Sequence, residues 1–313
     1  MKKLLTCLFV LIGSFSFGQE LDWVTDRPEI DRFIFRADNY FDKEDYKAAA
    51  KNYEKVYLYT SYKKNRAYSA SRLAECWVKR GDGRLACELL KETLDRYYVY
   101  LNFSDFMTTF NNAAIVLETE KRYYLFSQKE KAKEYHEYII KVAPYSSAAA
   151  ESLYRLIQMM VGDDKSIHNL GHDEFELMED RIDAFLTRFP NHTYSEEIMF
   201  LGVELFSERI LRSSFDEEAV TRYRHYRNEF ERKYPESDRM KKIVKIDRAI
   251  YVEAAKYFAY LGYFYLLPAQ ERAEAAKRYL EIQRSQYAGT HYDRATEILY
   301  SIVEPKPEAK EAE

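Results

Sequence analysis

The chain has 313 residues, with 48 Lys plus Arg against 52 Asp plus Glu, so its formal net charge is −4. Since positive and negative charges are nearly balanced, the composition excludes the strongly basic surface that nucleic-acid binding requires. The chain also contains 29 Tyr but only 9 Gly and 7 Pro. Because tyrosine packs well between helices while Gly and Pro interrupt them, this composition favours an all-α fold.

The first residues predict an export signal. Two lysines precede an apolar run over residues 4–17, and small residues follow it. This pattern is typical of a secretory signal peptide covering residues 1–18, with cleavage before Gln19. The apolar run is short for a bilayer span, and an uncleaved anchor is the alternative. Cys7 lies too near the start to serve as a lipid-attachment cysteine. We therefore expect an exported protein of the periplasm, with a peripheral position at the outer membrane as a further option.

Apolar periodicity then predicts a succession of helical hairpins, with every proline at an expected helix end. The predicted hairpins cover about residues 30–60, 66–97, 104–143, 147–189, 194–234 and 240–302. The residues expected where helices cross closely are Ala37, Tyr40, Ala49, Tyr53, Ala74, Trp77, Ala86 and Leu90. We assign the helical body to residues 19–303. Residues 304–313 are charged, contain two prolines and are predicted to be a disordered tail.

Three turns resemble one another at a spacing of about 45 residues. Each contains a proline with a large apolar residue five positions before it. The pairs are Ile139 and Pro144, Phe185 and Pro190, and Phe230 and Pro235. Self-similarity at such a period is typical of a solenoid of stacked helical hairpins, which presents surfaces for binding.

Two hairpins carry motifs of a known repeat. Leu73-Ala74 with Trp77, and Leu261-Gly262 with Tyr265, match a first helix, and Ala132, Ile139 and Pro144 match a second. In these features the chain resembles the tetratricopeptide repeat, although its longer loops depart from that family. The resemblance implies a right-handed superhelix of about six tetratricopeptide-like hairpins.

The closing stretch carries a narrower resemblance. The residues that carry it are 254–265, 275–281 and 286–292, together with the recurring aromatic-Pro-x-Ser turn. This combination is similar to the BamD-like outer-membrane assembly lipoprotein family. The resemblance implies protein partners among β-barrel assembly components or unfolded outer-membrane clients. The chain departs from that family in lacking its lipid-attachment cysteine and in having about six hairpins rather than five.

The concave side of such a solenoid is the predicted binding surface. Residues of the first two hairpins that leave the packing face would line this groove and hold an extended or helical protein segment. The predicted groove residues are Asp31, Ile34, Asp38, Phe41, Tyr68, Ser71, Glu75, Val78 and Lys79. The aromatic clusters at 97–100 and 257–265 are either binding patches or packing between helices.

Little in the sequence predicts chemistry. His168 and His172, followed by Asp173 and Glu174, have a spacing that can chelate a metal on a helix, but the segment is more typical of a polar loop. We find no nucleophile motif and no phosphate loop. Cys76 and Cys87 either pair or stand apart as small packed residues.

We therefore predict no enzyme activity, no cofactor, no metal site and no small-molecule substrate. The expected function is a cell-envelope scaffold, for which the BamD-like resemblance implies a role as an accessory of outer-membrane β-barrel protein assembly. The oligomeric state stays open. A generic periplasmic adaptor for another export or envelope-maintenance complex is the alternative. A metal-dependent enzyme is a more distant one.

Overall fold

The computed structural model describes residues 28–122, 126–162, 167, 170–212, 216–267 and 272–303. The predicted signal peptide and the predicted charged tail lie outside these residues. Within them the chain forms thirteen α-helices, one short 3₁₀ turn and one two-stranded hairpin. The predicted all-α class, built from successive helical hairpins, is confirmed.

The N-terminal of two compact units ends at Leu153. Its helices are α1 (Pro28–Asp42), α2 (Tyr46–Tyr59), α3 (Lys63–Lys79), α4 (Gly83–Tyr97), α5 (Phe103–Thr119) and α6 (Lys129–Val142). The 3₁₀ turn Tyr98–Tyr100 joins α4 to α5. Two antiparallel strands, β1 (Lys121–Arg122) and β2 (Phe126–Ser127), fill the predicted long connection between α5 and α6.

The C-terminal unit begins at Tyr154, inside the helix that crosses the boundary. That helix is α7 (Ser147–Val161), whose residues 147–153 belong to the N-terminal unit. The other helices of the C-terminal unit are α8 (His172–Arg188), α9 (Ser195–Arg212), α10 (Glu217–Lys233), α11 (Met240–Leu266), α12 (Ala273–Gln286) and α13 (Asp293–Val303). The bounds of the first five predicted hairpins agree to within a few residues. The predicted sixth hairpin, residues 240–302, instead contains the three helices α11, α12 and α13.

Short side chains lie where the helices of the N-terminal unit cross. Ala37, Ala49, Ala74 and Ala86 have no exposed surface, which lets the helix backbones approach closely. The prediction for Tyr40 is wrong, because 40% of its surface is exposed. Tyr40 falls at the edge of the apolar stripe of α1, and the packing position belongs to the half-buried Phe41.

The three predicted turn copies share one backbone geometry. The residue before each proline has φ of −137°, −132° and −132° and ψ of 55°, 54° and 53° at Ala143, Phe189 and Tyr234. Each of their N–H groups donates to the carbonyl four residues back, at 2.8 to 2.9 Å. Those carbonyls belong to Ile139, Phe185 and Phe230, whose side chains have no exposed surface. Each of these helices therefore ends at the same distance after a buried apolar residue.

A fourth copy of this turn was not predicted. The Tyr287 N–H donates to the Gln283 carbonyl at 2.9 Å, with φ −130° and ψ 28° at Tyr287. Ala288 stands where the other copies have proline. This turn introduces α13, which thus occupies the place of the first helix of a seventh repeat.

Hydrogen bonds between second helices of neighbouring hairpins recur with the period of the repeat. In the N-terminal unit the Tyr138 hydroxyl on α6 donates to Asp95 on α4 at 2.9 Å. In the C-terminal unit Arg222 on α10 donates to Glu179 on α8 at 2.7 Å. Both pairs are 43 residues apart in the chain. Polar contacts thus fix the spacing of adjacent repeats outside the apolar core.

The two cysteines that the structure describes, Cys76 and Cys87, are buried and free. Burial raises the pKa of the Cys76 thiol to about 12 and that of the Cys87 thiol further. Both are small buried residues, Cys76 of α3 and Cys87 of α4. None of the helices in the described part of the chain is both long and apolar enough to span a membrane.

Candidate partner-binding groove in the N-terminal unit

A groove of about 510 Å³ lies between α3 and α5, the first helices of the second and third hairpins. Its lining mixes basic, acidic, hydroxyl and aromatic side chains. The lining residues are Lys64, Ala67, Tyr68, Ser71, Arg72, Glu75, Tyr100, Leu101, Asn102, Asp105, Phe106 and Thr109. This size and this mixed chemistry suit several side chains of a protein segment.

Arg72 is the centre of a cluster beside this groove. Its guanidinium lies 3.6 Å from the ring centroid of Phe41, and its Nη1 lies 2.7 Å from Glu75 Oε2. Its Nε donates to the Tyr53 hydroxyl at 3.4 Å. Because a guanidinium stacked on a ring and paired with a carboxylate loses little further freedom on binding, Arg72 is pre-oriented at the groove wall.

Asp38 ties this cluster to two tyrosines. Its Oδ1 accepts hydrogen bonds from the hydroxyls of Tyr53 and Tyr68, at 2.5 Å and 2.8 Å. Burial, and then the bond to Asp38, raises the pKa of both phenols, so both stay protonated and donate. The Tyr53 and Tyr68 rings also meet edge to face, with centroids 6.2 Å apart. The partly exposed Tyr68 ring is thus held at the groove by its own hydroxyl.

The predicted groove residues fall into three groups. Tyr68, Ser71 and Glu75 line the groove. Asp38 and Phe41 lie behind them in the cluster around Arg72. The remaining predicted residues, Asp31, Ile34, Val78 and Lys79, are not part of this lining. All nine stay predictions as binding residues, since none of these contacts involves a partner.

Sequence reasoning missed the α5 side of the groove. Asn102 donates from its side-chain amide to Asp105 at 2.6 Å, and Tyr100 brings the 3₁₀ turn to the rim. The only sequence signal was the aromatic cluster at residues 97–100. The residues of that cluster differ in burial: Tyr97 is buried, whereas Tyr98 is 63% and Val99 is 81% exposed, and a binding role for the exposed ones stays a prediction.

Tyr98 and Val99 line a second cavity of the same unit, of about 780 Å³. Tyr138 and Val142 of α6 form its opposite wall. Burial, and then the hydrogen bond to Asp95, raises the pKa of the Tyr138 phenol to about 12. The 3₁₀ turn therefore separates two cavities, of which the one between α3 and α5 contains the predicted groove residues.

A Ser–His–Glu arrangement occurs in this unit, and the sequence did not suggest it. His136 Nδ1 lies 3.0 Å from Ser152 Oγ, and His136 Nε2 lies 2.9 Å from Glu118 Oε1. Ser152 Oγ also lies 3.0 Å from Asn111 Oδ1, so its hydroxyl belongs to a network of buried side chains. Ser152 and His136 have no exposed surface. The network joins α5, α6 and α7 as a buried structural contact.

The candidate metal residues do not form a centre in the described part of the chain, where no group of three His, Cys, Asp or Glu side chains could hold a metal ion. His168 lies outside the described residues. His172, predicted in a loop, is the first residue of α8, and its exposed ring lies 3.5 Å from Glu176.

No protein-family model and no curated protein matches this chain. Among solved structures it is similar to the crystal structure of the TPR domain of P58(IPK), with 15% sequence identity and a TM-score of 0.30. The match covers 88% of this chain and 64% of that one, so it spans less than two thirds of that protein chain. A TM-score of 0.30 is too low to carry an argument about function, and the tetratricopeptide-like description rests on the hairpins and turns above.

Proposed function

We propose that this chain is a scaffold that binds a segment of a partner protein in the groove between α3 and α5. The observation that carries the proposal is the pre-oriented cluster of Arg72, Phe41, Glu75, Asp38 and Tyr68 beside that groove. Its side chains offer a cation, carboxylates, hydroxyls and ring faces to a ligand without any activated nucleophile. Binding there is capture of a segment, with no bond made or broken.

The groove fits a segment of mixed charge. Lys64, Arg72, Glu75 and Asp105 all line it, so both signs of charge are available. The exposed parts of Tyr68 and Tyr100, 41% and 40% of their surfaces, supply apolar contact area. Interfaces of this kind gain most of their affinity from a few aromatic and arginine anchors, while charged pairs at the rim set orientation.

We further propose that the scaffold acts in the cell envelope, as an accessory of outer-membrane β-barrel protein assembly. This narrower proposal is supported by the resemblance of the closing stretch to the BamD-like family and by the predicted signal peptide. A periplasmic adaptor for another export or envelope-maintenance complex remains the competing proposal.

The first test is crosslinking in intact cells from a photoreactive residue at Tyr68, with the same residue at Leu58 as control. Leu58 is 59% exposed on α2 and does not line the groove. We expect a partner adduct from position 68 alone. Recovery of a β-barrel assembly component supports the narrower proposal, whereas recovery of other envelope proteins favours the adaptor.

Side-chain variants then test the groove itself with the partner so identified. Tyr68→Ala and Phe41→Ala should each weaken binding by about 1–3 kcal/mol, because each removes an anchor or its support. Tyr68→Phe keeps the ring but loses the bond to Asp38, so its effect should be smaller. Equal affinity of all three variants, with unchanged helical content, would refute binding in this groove.

A further inference from the structure

The groove between neighbouring first helices occurs a second time, in the C-terminal unit, between α11 and α13. The residues on the α3 and α11 walls have the same spacing in the two grooves. They are Lys64, Ala67, Tyr68 and Ser71 in α3, and Lys256, Ala259, Tyr260 and Tyr263 in α11. The repeat therefore builds one cleft twice, and the two copies differ in their chemistry.

The C-terminal copy is apolar. It has a volume of about 470 Å³, and Lys256 is the only charged residue among the described ones that line it. Tyr260, Tyr263 and Ile298 contribute side chains that are 60%, 50% and 55% exposed. A contiguous group of exposed apolar side chains on a folded protein marks an interaction surface more often than chance exposure.

Helix α13 exposes its apolar face instead of burying it. Ile298 and Ile302 are 55% and 63% exposed, whereas Thr296 has no exposed surface. The segment that follows, residues 304–313, consists of four Glu, two Lys, two Pro and two Ala. That composition offers almost nothing to an apolar groove, so this segment is a poor occupant.

The charge beside the groove indicates what that protein carries. Lys245 and Tyr263 are eighteen residues apart, or five full turns of α11, and therefore share a face. Lys245 and the nearby Arg248 are exposed, and neither has an ion pair or hydrogen bond with any residue that the structure describes. By contrast, Lys241 pairs with Asp238 at 3.1 Å. This face of α11 thus carries the positive charges of Lys245 and Arg248 near its start and the exposed rings of Tyr260 and Tyr263 near its end.

We propose that this face binds an amphipathic segment of a partner protein, whose apolar side chains enter between α11 and α13 and whose carboxylates face Lys245 and Arg248. The concave shape supports a protein segment over a lipid surface, because a bilayer contacts protruding side chains and does not fill a cleft. This site is independent of the groove between α3 and α5, and either can fail without the other.

The test uses the full mature chain and three fluorescent probes, with fluorescence anisotropy at about 0.05 M salt, where charge effects are least screened. The acidic probe is a helical peptide of about 16 residues with Leu and Phe on one face and four Glu toward one end. The neutral probe carries Gln in place of Glu, and the third probe is a vesicle with anionic phosphatidylglycerol. The double variant Lys245→Glu/Arg248→Glu changes the charge, and Tyr263→Ser changes the cleft.

We expect the double charge variant to lower affinity for the acidic peptide about tenfold and to leave the neutral peptide nearly unaffected. Tyr263→Ser should weaken both peptides. Two matched controls are Leu58→Ser, an exposed apolar residue of α2, and Arg224→Glu, an exposed cation on α10 that has no ion pair or hydrogen bond with the residues that the structure describes. Both should bind like the parent.

Three outcomes would overturn the proposal. The first is equal binding of the acidic and neutral peptides, and the second is insensitivity of either peptide to Tyr263→Ser. The third is binding to the vesicle with none to the peptides, which would assign the face to a membrane surface. All substituted side chains are exposed, so loss of binding with an unchanged thermal melt reports the surface and not the fold.

Discussion

Gly83→Ala should be the most damaging small substitution in the N-terminal unit. A Cβ at Gly83 would lie 2.5 Å from the Leu117 nitrogen and 2.9 Å from the Ala113 carbonyl oxygen, both backbone atoms of α5. Backbone atoms cannot rotate away as a side chain can. Since ordinary contact begins at 3.4 Å, the start of α4 and the end of α5 must separate by about 0.9 Å.

The separation has a second cost at the same point. The Arg84 N–H, in the first turn of α4, donates to the Glu120 carboxylate at 3.0 Å, and a shift of this size would weaken that bond. Overpacking of this kind typically costs about 1–3 kcal/mol, and the added loss places Gly83→Ala at about 3 kcal/mol. A helix-propensity gain from alanine is small at the first position of a helix.

Gly81→Ala, two residues away in the same turn, is the matched control. Gly81 has φ +84°, and nothing lies within 4 Å of its hypothetical Cβ. Its only cost is the left-handed backbone, about 1–2 kcal/mol. Urea unfolding followed by Trp77 fluorescence, in a Trp23→Phe background, measures both variants. If Gly83→Ala is no less stable than Gly81→Ala, the close backbone contact between α4 and α5 is wrong.

Three further predictions concern buried polar groups. His136→Phe should lower the free energy of unfolding by about 2–4 kcal/mol, because it removes the hydrogen bonds of the buried imidazole to Ser152 and to Glu118 of α5. An unchanged melting temperature would contradict the network. Cys76 and Cys87 should stay unreactive toward a thiol reagent at pH 8 until the chain unfolds, since burial raises the pKa of both thiols. The folded state keeps the thiol protons, whereas an unfolded thiol loses its proton near the ordinary pKa of 9.0. The contribution of the two thiols to stability is therefore complete below that pH and is lost as the pH rises above it. Rapid labelling of the native protein would argue against burial. Tyr226→Phe should cost about 1–2 kcal/mol in urea unfolding, since it removes a hydroxyl that donates to a carboxylate of α8, and a more stable variant would contradict that bond.

The sequence predicted the helices and most hairpin turns because the signals for both are local. Apolar spacing and the placement of proline put helix ends within a few residues of their position. The anchors Ile139, Phe185 and Phe230 were recognisable because each stands at the same distance from its proline. The fourth turn lacks that proline, with Ala288 in its place, and so escaped notice.

The groove was predicted only in part for a related reason. Helical phase placed Tyr68 and Glu75 off the packing face, but it could not show that Arg72 bridges Phe41 and Glu75. Nor could it show that α5 supplies the opposite wall, because this depends on how two helices about 35 residues apart pack. The same phase argument misplaced Tyr40, which lies one position from the residue that packs.

By itself, the sequence determined that the chain is all-α, where its helices begin and end, and that its hairpins repeat. These properties follow from residues within one or two turns of one another. Only the tertiary structure decided which polar groups meet, such as His136 with Ser152 and Tyr138 with Asp95. It also decided which faces stay open, as between α11 and α13. Such contacts join residues 16 to 43 positions apart, and no local periodicity specifies them.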